Sequence, residues 1–150
     1  MTTIENHGPK IFDVDVSNIE RRLGAVLPDQ YRRFLLACNG GSPTPDTVDV
    51  EGFSGASTDI QIFFGIGRII QSSNLDWNLT VLAERLEEGM LPIAADSGGN
   101  VFCLALQGHR RGSVFYCDLE PVFGNLAATP QLFQVASDFD AFMAQLRPFA

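Results

Sequence analysis

Leu91-Pro-Ile-Ala-Ala-Asp-Ser-Gly-Gly-Asn-Val-Phe-Cys-Leu-Ala-Leu106 is the stretch whose reading decides the fold. Two apolar runs flank an aspartate, a serine, two glycines and an asparagine. Such a centre serves a phosphate cradle, a catalytic corner or a tight turn. A P-loop needs a longer glycine loop, a Lys-Ser/Thr pair and a helix whose N-terminus faces the phosphate. Here Val101-Phe-Cys-Leu-Ala-Leu106 follows, which is strand chemistry, and the dinucleotide fingerprint fails for the same reason. The remaining reading is a two-residue Gly98-Gly99 turn between strands, glycine supplying the positive φ of primed hairpin turns. Asp96, at the strand end, is then placed to accept N–H bonds from the Gly98–Asn100 turn.

That turn predicts a register. Ser97 faces Asn100, Ala95 faces Phe102, Ile93 faces Leu104 and Leu91 faces Leu106. One face then carries Leu91, Ile93, Ala95, Phe102, Leu104 and Leu106 as a core surface. The other carries Pro92, Ala94, Val101, Cys103 and Ala105, which are small. A hairpin with a large apolar face and a small closely covered one belongs at the centre of a sheet.

Outward from the hairpin, the chain alternates helix and strand patterns. Ser17-Asn-Ile-Glu20 fits a capping box opening a short helix that Gly24 stops. Leu27-Pro28-Asp29 restarts helix with Pro28 at its first position, and Tyr31, Phe34, Leu35 and Cys38 form one stripe ended by Asn39-Gly40-Gly41. Val48, Val50 and Phe53 suggest a short strand within a Pro/Gly/Thr/Asp-rich loop, and Asp59–Phe64 reads as a partly buried strand. Asn74–Glu88 reads as a helix with Leu75, Leu79, Leu82 and Leu86 on one side and Trp77 at an edge. Strands follow at Leu91–Asp96, Val101–Leu106, Ser113–Asp118 and Leu132–Ala136. Ser137 then caps a last helix carrying Phe139, Phe142, Met143 and Leu146. The expected fold is a single α+β domain over residues 1–150, with helices packed around a mixed, antiparallel-rich sheet.

Of the 150 residues, 45% are hydrophobic and 19% charged, so one domain of this size has ample core and no reason to be disordered. No run approaches the roughly 18–20 apolar residues of a membrane span, and the N-terminus lacks the basic and apolar regions of a signal peptide. Cys38, Cys103 and Cys117 each lie in an apolar run, which fits reduced core thiols and a cytoplasmic setting. The formal net charge is −8. No Lys or Arg occurs between Arg33 and Arg68 or between Arg111 and Arg147. The first gap holds Asp46, Asp49, Glu51 and Asp59; the second holds Asp118, Glu120, Asp138 and Asp140. Such a surface repels nucleic acid and attracts a basic protein.

Catalytic candidates are sparse. His7 lies in an N-terminus expected to fray, and His109 at a hairpin tip, away from the strand-borne Cys103 and Cys117. No metal-ligand spacing is legible, and no cofactor is expected. The carboxylates of Asp96, Asp118 and Glu120 end neighbouring strands and would in principle suit glycoside hydrolysis.

The order Ile19-Glu-Arg-Arg-Leu-Gly24, Leu27-Pro-Asp-Gln-Tyr-Arg-Arg-Phe-Leu35, Asn39-Gly-Gly41, Phe64-Gly-Ile-Gly67, Leu91–Phe102 and Gly112-Ser-Val-Phe-Tyr-Cys-Asp118 resembles the SUKH superfamily. The likeness is to the branch named for the fungal Smi/Knr cell-wall regulators and spans about residues 16–146. It implies a compact α+β domain without catalysis. Most bacterial members are immunity proteins of polymorphic or contact-dependent toxin systems; fungal relatives are regulatory interaction proteins. The expectation is therefore an immunity protein that occludes a basic toxin domain, such as a nuclease. Its electrostatic contacts are assigned to Asp46, Asp49, Glu51, Asp59, Asp118 and Glu120, with Phe53 and Trp77 as anchors. Asp96, Gly98, Gly99 and Asn100 are assigned to the structural turn. The alternatives are a regulatory or scaffold domain with a non-toxin partner and, below it, a carboxylate-dependent hydrolase.

Overall fold

A computed structural model describes residues 2–120 and 129–149. Its centre is a five-stranded sheet in the order β5-β6-β7-β8-β9, with every neighbouring pair antiparallel. Two small antiparallel sheets accompany it: β1 (Thr3–Glu5) with β2 (Ser42–Thr44), which are far apart in sequence, and the hairpin of β3 (Thr47–Asp49) with β4 (Ser57–Asp59). The sheet strands are β5 (Ile62–Phe63), β6 (Met90–Ala95), β7 (Val101–Ala105), β8 (Val114–Asp118) and β9 (Gln131–Ala136). The helices are α1 (Asp13–Leu23), α2 (Asp29–Cys38), α3 (Leu75–Val81) and α4 (Phe139–Ala144). This is the expected α+β domain, with parallel pairing among the described residues limited to a bridge between Gly65 and Asn74.

The β6–β7 hairpin is central, as its apolar composition requires, but its turn is one residue longer than expected. Asp96 N–H donates to the Asn100 carbonyl at 3.0 Å, leaving Ser97, Gly98 and Gly99 as the loop. Gly99 takes φ +91°, the left-handed residue that closes a three-residue hairpin loop. Ala95 therefore faces Val101, Ala94 faces Phe102 and Leu91 faces Leu104. A bulge between Pro92 and Ala94 absorbs Ile93. Proline has no N–H for a ladder, so a break in the pairing beside Pro92 is physically apt.

The corrected register sorts the core into two faces, because directly paired residues share a side. Phe63, Ala94, Phe102, Tyr116 and Phe133 form one row across all five strands. Against it pack α2 and α4: Phe34 meets Phe63 at 4.9 Å and Phe142 meets Phe102 at 5.4 Å between ring centroids. Ile62, Ala95, Val101, Cys117 and Leu132 form the row of opposite facing. Trp77 of α3 lines a groove together with Ile62, Ala95 and Val101. Burial on both faces explains why β7 and β8 read as continuous apolar runs.

Several boundaries differ from the sequence expectation for identifiable reasons. The first helix begins at Asp13, four residues before Ser17, because the Asp15 carboxylate accepts the Phe12 N–H at 2.8 Å. Glu20, released from any cap, holds the Leu27 N–H at 2.8 Å and Arg32 at 3.0 Å. Pro28 stands just before α2, and Asn39 ends that helix at φ +50°. The third helix closes after Val81, with Leu82 and Leu86 continuing the apolar side in turns. Asp138, not Ser137, caps α4, accepting the Ala141 N–H at 2.8 Å. The segment around His7 is tied down: β1 pairs with β2, and the Gly8 N–H donates to the Cys38 carbonyl at 3.1 Å.

Candidate interaction surface

At the turn end of the central hairpin the polar residues form one connected network. Asp96 is buried, and its carboxylate receives four donors. One oxygen takes the Gly98 and Asn100 N–H groups at 2.9 and 2.8 Å; the other takes the Thr58 hydroxyl at 2.8 Å and the Tyr116 hydroxyl at 2.6 Å. Asn100 donates its amide to Tyr116 Oη at 2.9 Å and accepts the Leu119 N–H at 2.9 Å. Burial first, then the bond to Asp96, pushes the Tyr116 phenol well above its ordinary value, so it stays a donor. Asp59 accepts the Ser97 N–H at 2.9 Å and also the Ser97 hydroxyl. The network thus fastens the β3–β4 hairpin and the residue after β8 to the β6–β7 turn. Gly98, Gly99 and Asn100 serve the turn geometry, and Asp96 is spent on it.

The acidic candidates separate by what they already hold. Asp46 and Asp59 line one cavity of about 420 Å³ with Phe149. Asp49 is exposed but forks with Arg147, Oδ1 to Nη2 at 2.7 Å and Oδ2 to Nε at 2.9 Å. That guanidinium holds the Asp49 carboxyl below the usual range. Arg147 is further fixed by paired backbone bonds with Thr47, at 3.0 and 2.9 Å. Glu51 is exposed beyond β3, and Glu120 is exposed beyond β8. Asp118 is buried at the end of β8, where its carboxylate accepts the Glu120 N–H at 3.1 Å. Phe53 is half-buried, edge-on to Tyr116 at 5.0 Å and to Phe133 at 5.8 Å, so its ring belongs to the core margin.

Trp77 stands on α3, half-buried, in the wall of a groove of about 630 Å³. Composition did not single out what lies beside it. Ile69 and Ile70 sit on the loop before α3 and are exposed to solvent. Two buried asparagines hold that loop. Asn74 accepts the Arg68 N–H at 2.8 Å and offers its amide to the Arg68, Ile70 and Gln71 carbonyls at 3.1–3.2 Å. Asn78 donates to the Ser72 carbonyl at 3.0 Å. Asn74 stands just before α3, and its side chain reaches backwards to the preceding loop rather than forward to the helix.

His109 is exposed in the β7–β8 connection, whereas Cys103 and Cys117 are buried. Burial, reinforced by contact with Cys117, pushes the Cys103 thiol well up. Among the described residues, no group of three His, Cys, Asp or Glu side chains is placed to hold a metal ion. No helix among them is long and apolar enough to cross a membrane.

Fold and surface together define an α+β domain whose sheet-end polar residues hold acidic loops in place. The chain belongs to the SMI1/KNR4 family (SUKH-1), whose family model matches residues 11–145. That family includes immunity proteins of polymorphic toxin systems and is generally non-catalytic. No curated protein matches the sequence.

Proposed function

We propose that the chain is an immunity protein that binds the toxin domain encoded beside it and neutralises that domain by occlusion in the cytoplasm of the producing cell. The observation that carries this reading is the fixed acidic margin. Asp46 and Glu51 flank β3, Asp59 is tied to Ser97, and Glu120 is tethered through Asp118, on a chain of formal net charge −8. Such a margin matches a basic cleft, such as a nuclease's substrate channel, and speeds encounter by electrostatic steering. Asp49 contributes less to that field, since its charge is matched by Arg147.

Co-expression with the neighbouring toxin domain tests the proposal. Cells producing both proteins grow, cells producing the toxin alone do not, and association slows as salt rises through the physiological range. Failure of rescue against that toxin domain overturns the reading.

A further inference from the structure

The groove beside Trp77 is lined from the sheet, from α3 and from the loop before α3. The sheet row Ile62–Ala95–Val101 lines it together with Leu119, Trp77 and Val81 of α3, and Ile70 of the preceding loop. A second depression, of about 590 Å³, shares Ile62 and Ile70 and continues past Ile69 to Pro9. Exposed apolar side chains therefore stand along a continuous surface: Ile69 at 102%, Ile70 at 66% and Val81 at 44% of full exposure. The Asn74 and Asn78 amides fix the main chain that presents the two isoleucines. Apolar residues held out rigidly are what a binding surface needs, because little conformational freedom is left to lose on docking.

The charge around the groove selects the occupant. The lining of the Trp77 groove contains one ionisable residue, Asp96, and no Lys or Arg, whereas the adjoining depression carries His7 and Arg68, the latter's guanidinium already donating to the Asn39 and Asn6 carbonyls. The groove's edge at Ser97 is bonded to Asp59, and its edge at Leu119 is followed by Glu120. Resting on the immunity reading above, we infer that this groove receives a segment of the toxin domain that carries a bulky apolar side chain beside a Lys or Arg. The apolar group lies between Trp77, Val81 and Ile70, and the cation meets Asp59 and Glu120. The acidic margin supplies steering and the groove supplies the desolvated centre, the usual division of labour in a protein interface.

The test uses the full chain and the toxin domain encoded beside it. Ile70→Asp and Val81→Glu place charge on the groove without touching the asparagine bonds, which are to main chain. Val26→Glu, at an exposed apolar residue of the loop between α1 and α2, is the matched control. With all three proteins melting as the wild type does, both groove variants weaken the complex by about tenfold or more and lose rescue, while Val26→Glu does neither. Glu120→Lys slows association several-fold at low salt and less at high salt. Wild-type binding with unchanged affinity in both groove variants overturns the groove and leaves the immunity reading standing. Absence of wild-type binding overturns both. A dimer of this chain that the groove variants dissociate, with toxin affinity unchanged, assigns the surface to a second copy and likewise overturns the inference.

Discussion

Asp96 and Tyr31 show how differently a buried polar group behaves when it is satisfied and when it is not. Removing the Asp96 carboxylate leaves two N–H groups and two hydroxyls without their acceptor in a buried turn. Asp96→Ala is therefore expected to cost about 3 kcal/mol or more, read as a lower urea midpoint. A wild-type midpoint would show that the network does not hold the turn. The Tyr31 hydroxyl, in contrast, is buried with no hydrogen-bond partner among the described residues. Tyr31→Phe sheds a desolvated group without opening a cavity, and stability should rise by up to about 1 kcal/mol in the same assay. The anchoring role of Asp96 was legible because an aspartate before a glycine turn has few other uses. Its further partners, Thr58 and Tyr116, are 38 and 20 residues away in sequence, and local reading does not reach that far. The three-residue turn escaped for a related reason. Ser-Gly-Gly-Asn admits two loop lengths, and the Asp96–Asn100 backbone bond, set by the whole sheet, chooses between them.

Helices and strands were readable where the apolar period was strong, as in α2 and in β6 to β8. They were misjudged where tertiary contacts set the ends. α3 is the instructive element. Its leucine spacing predicts a helix to Glu88, yet the helix stops after Val81 and the chain turns while keeping Leu82 buried and Leu86 half-buried. The element's distinctive contribution is the asparagine pair, which makes the 68–72 loop and α3 one unit. Asn74→Ala leaves the Arg68 N–H and carbonyl to find other partners and strips a second donor from the Ile70 and Gln71 carbonyls, which keep the Ser73 and Asn74 N–H groups. It is expected to cost about 2 kcal/mol and to open the loop, seen as faster amide exchange and proteolytic cleavage around Ile69 and Ile70. Unchanged exchange there would mean the loop is held by something else. Gly65 contributes by being small: a Cβ at this position would meet the Asn39 carbonyl oxygen at 2.2 Å, so the crossing of these two segments requires glycine.

At the scale of the whole molecule, burial of titratable groups shapes the response to alkali. The Cys103 thiol is raised well above its ordinary 9.0, and the Tyr31 and Tyr116 phenols above their ordinary 10.0. Once pH passes those ordinary values, the unfolded chain releases protons that the native chain retains. The unfolded state then binds fewer protons, so stability falls with rising pH. The urea midpoint should be level near neutrality and decline from about pH 9 upward, and Tyr116→Phe should reduce the slope. A flat profile to about pH 11 would contradict this burial. Charge gaps and the acidic excess were plain in the sequence, but which acids remain uncommitted was not. Asp49 and Asp59 have partners supplied by Arg147 and Ser97, and only folding brings those together.

The Arg147 fork has a mechanical consequence. Tension applied through the C-terminal end reaches the β3–β4 hairpin before it reaches α4's far side of the core, because two Thr47–Arg147 backbone bonds and the two contacts to Asp49 lie in its path. The depressed Asp49 carboxyl keeps its charge, and therefore its grip, at neutral pH and releases it only as acid protonates the group below its ordinary range. Acid thus loosens only the side-chain half of this fastening, while the two Thr47–Arg147 backbone bonds keep that segment joined to the hairpin that bears Asp46 and Glu51.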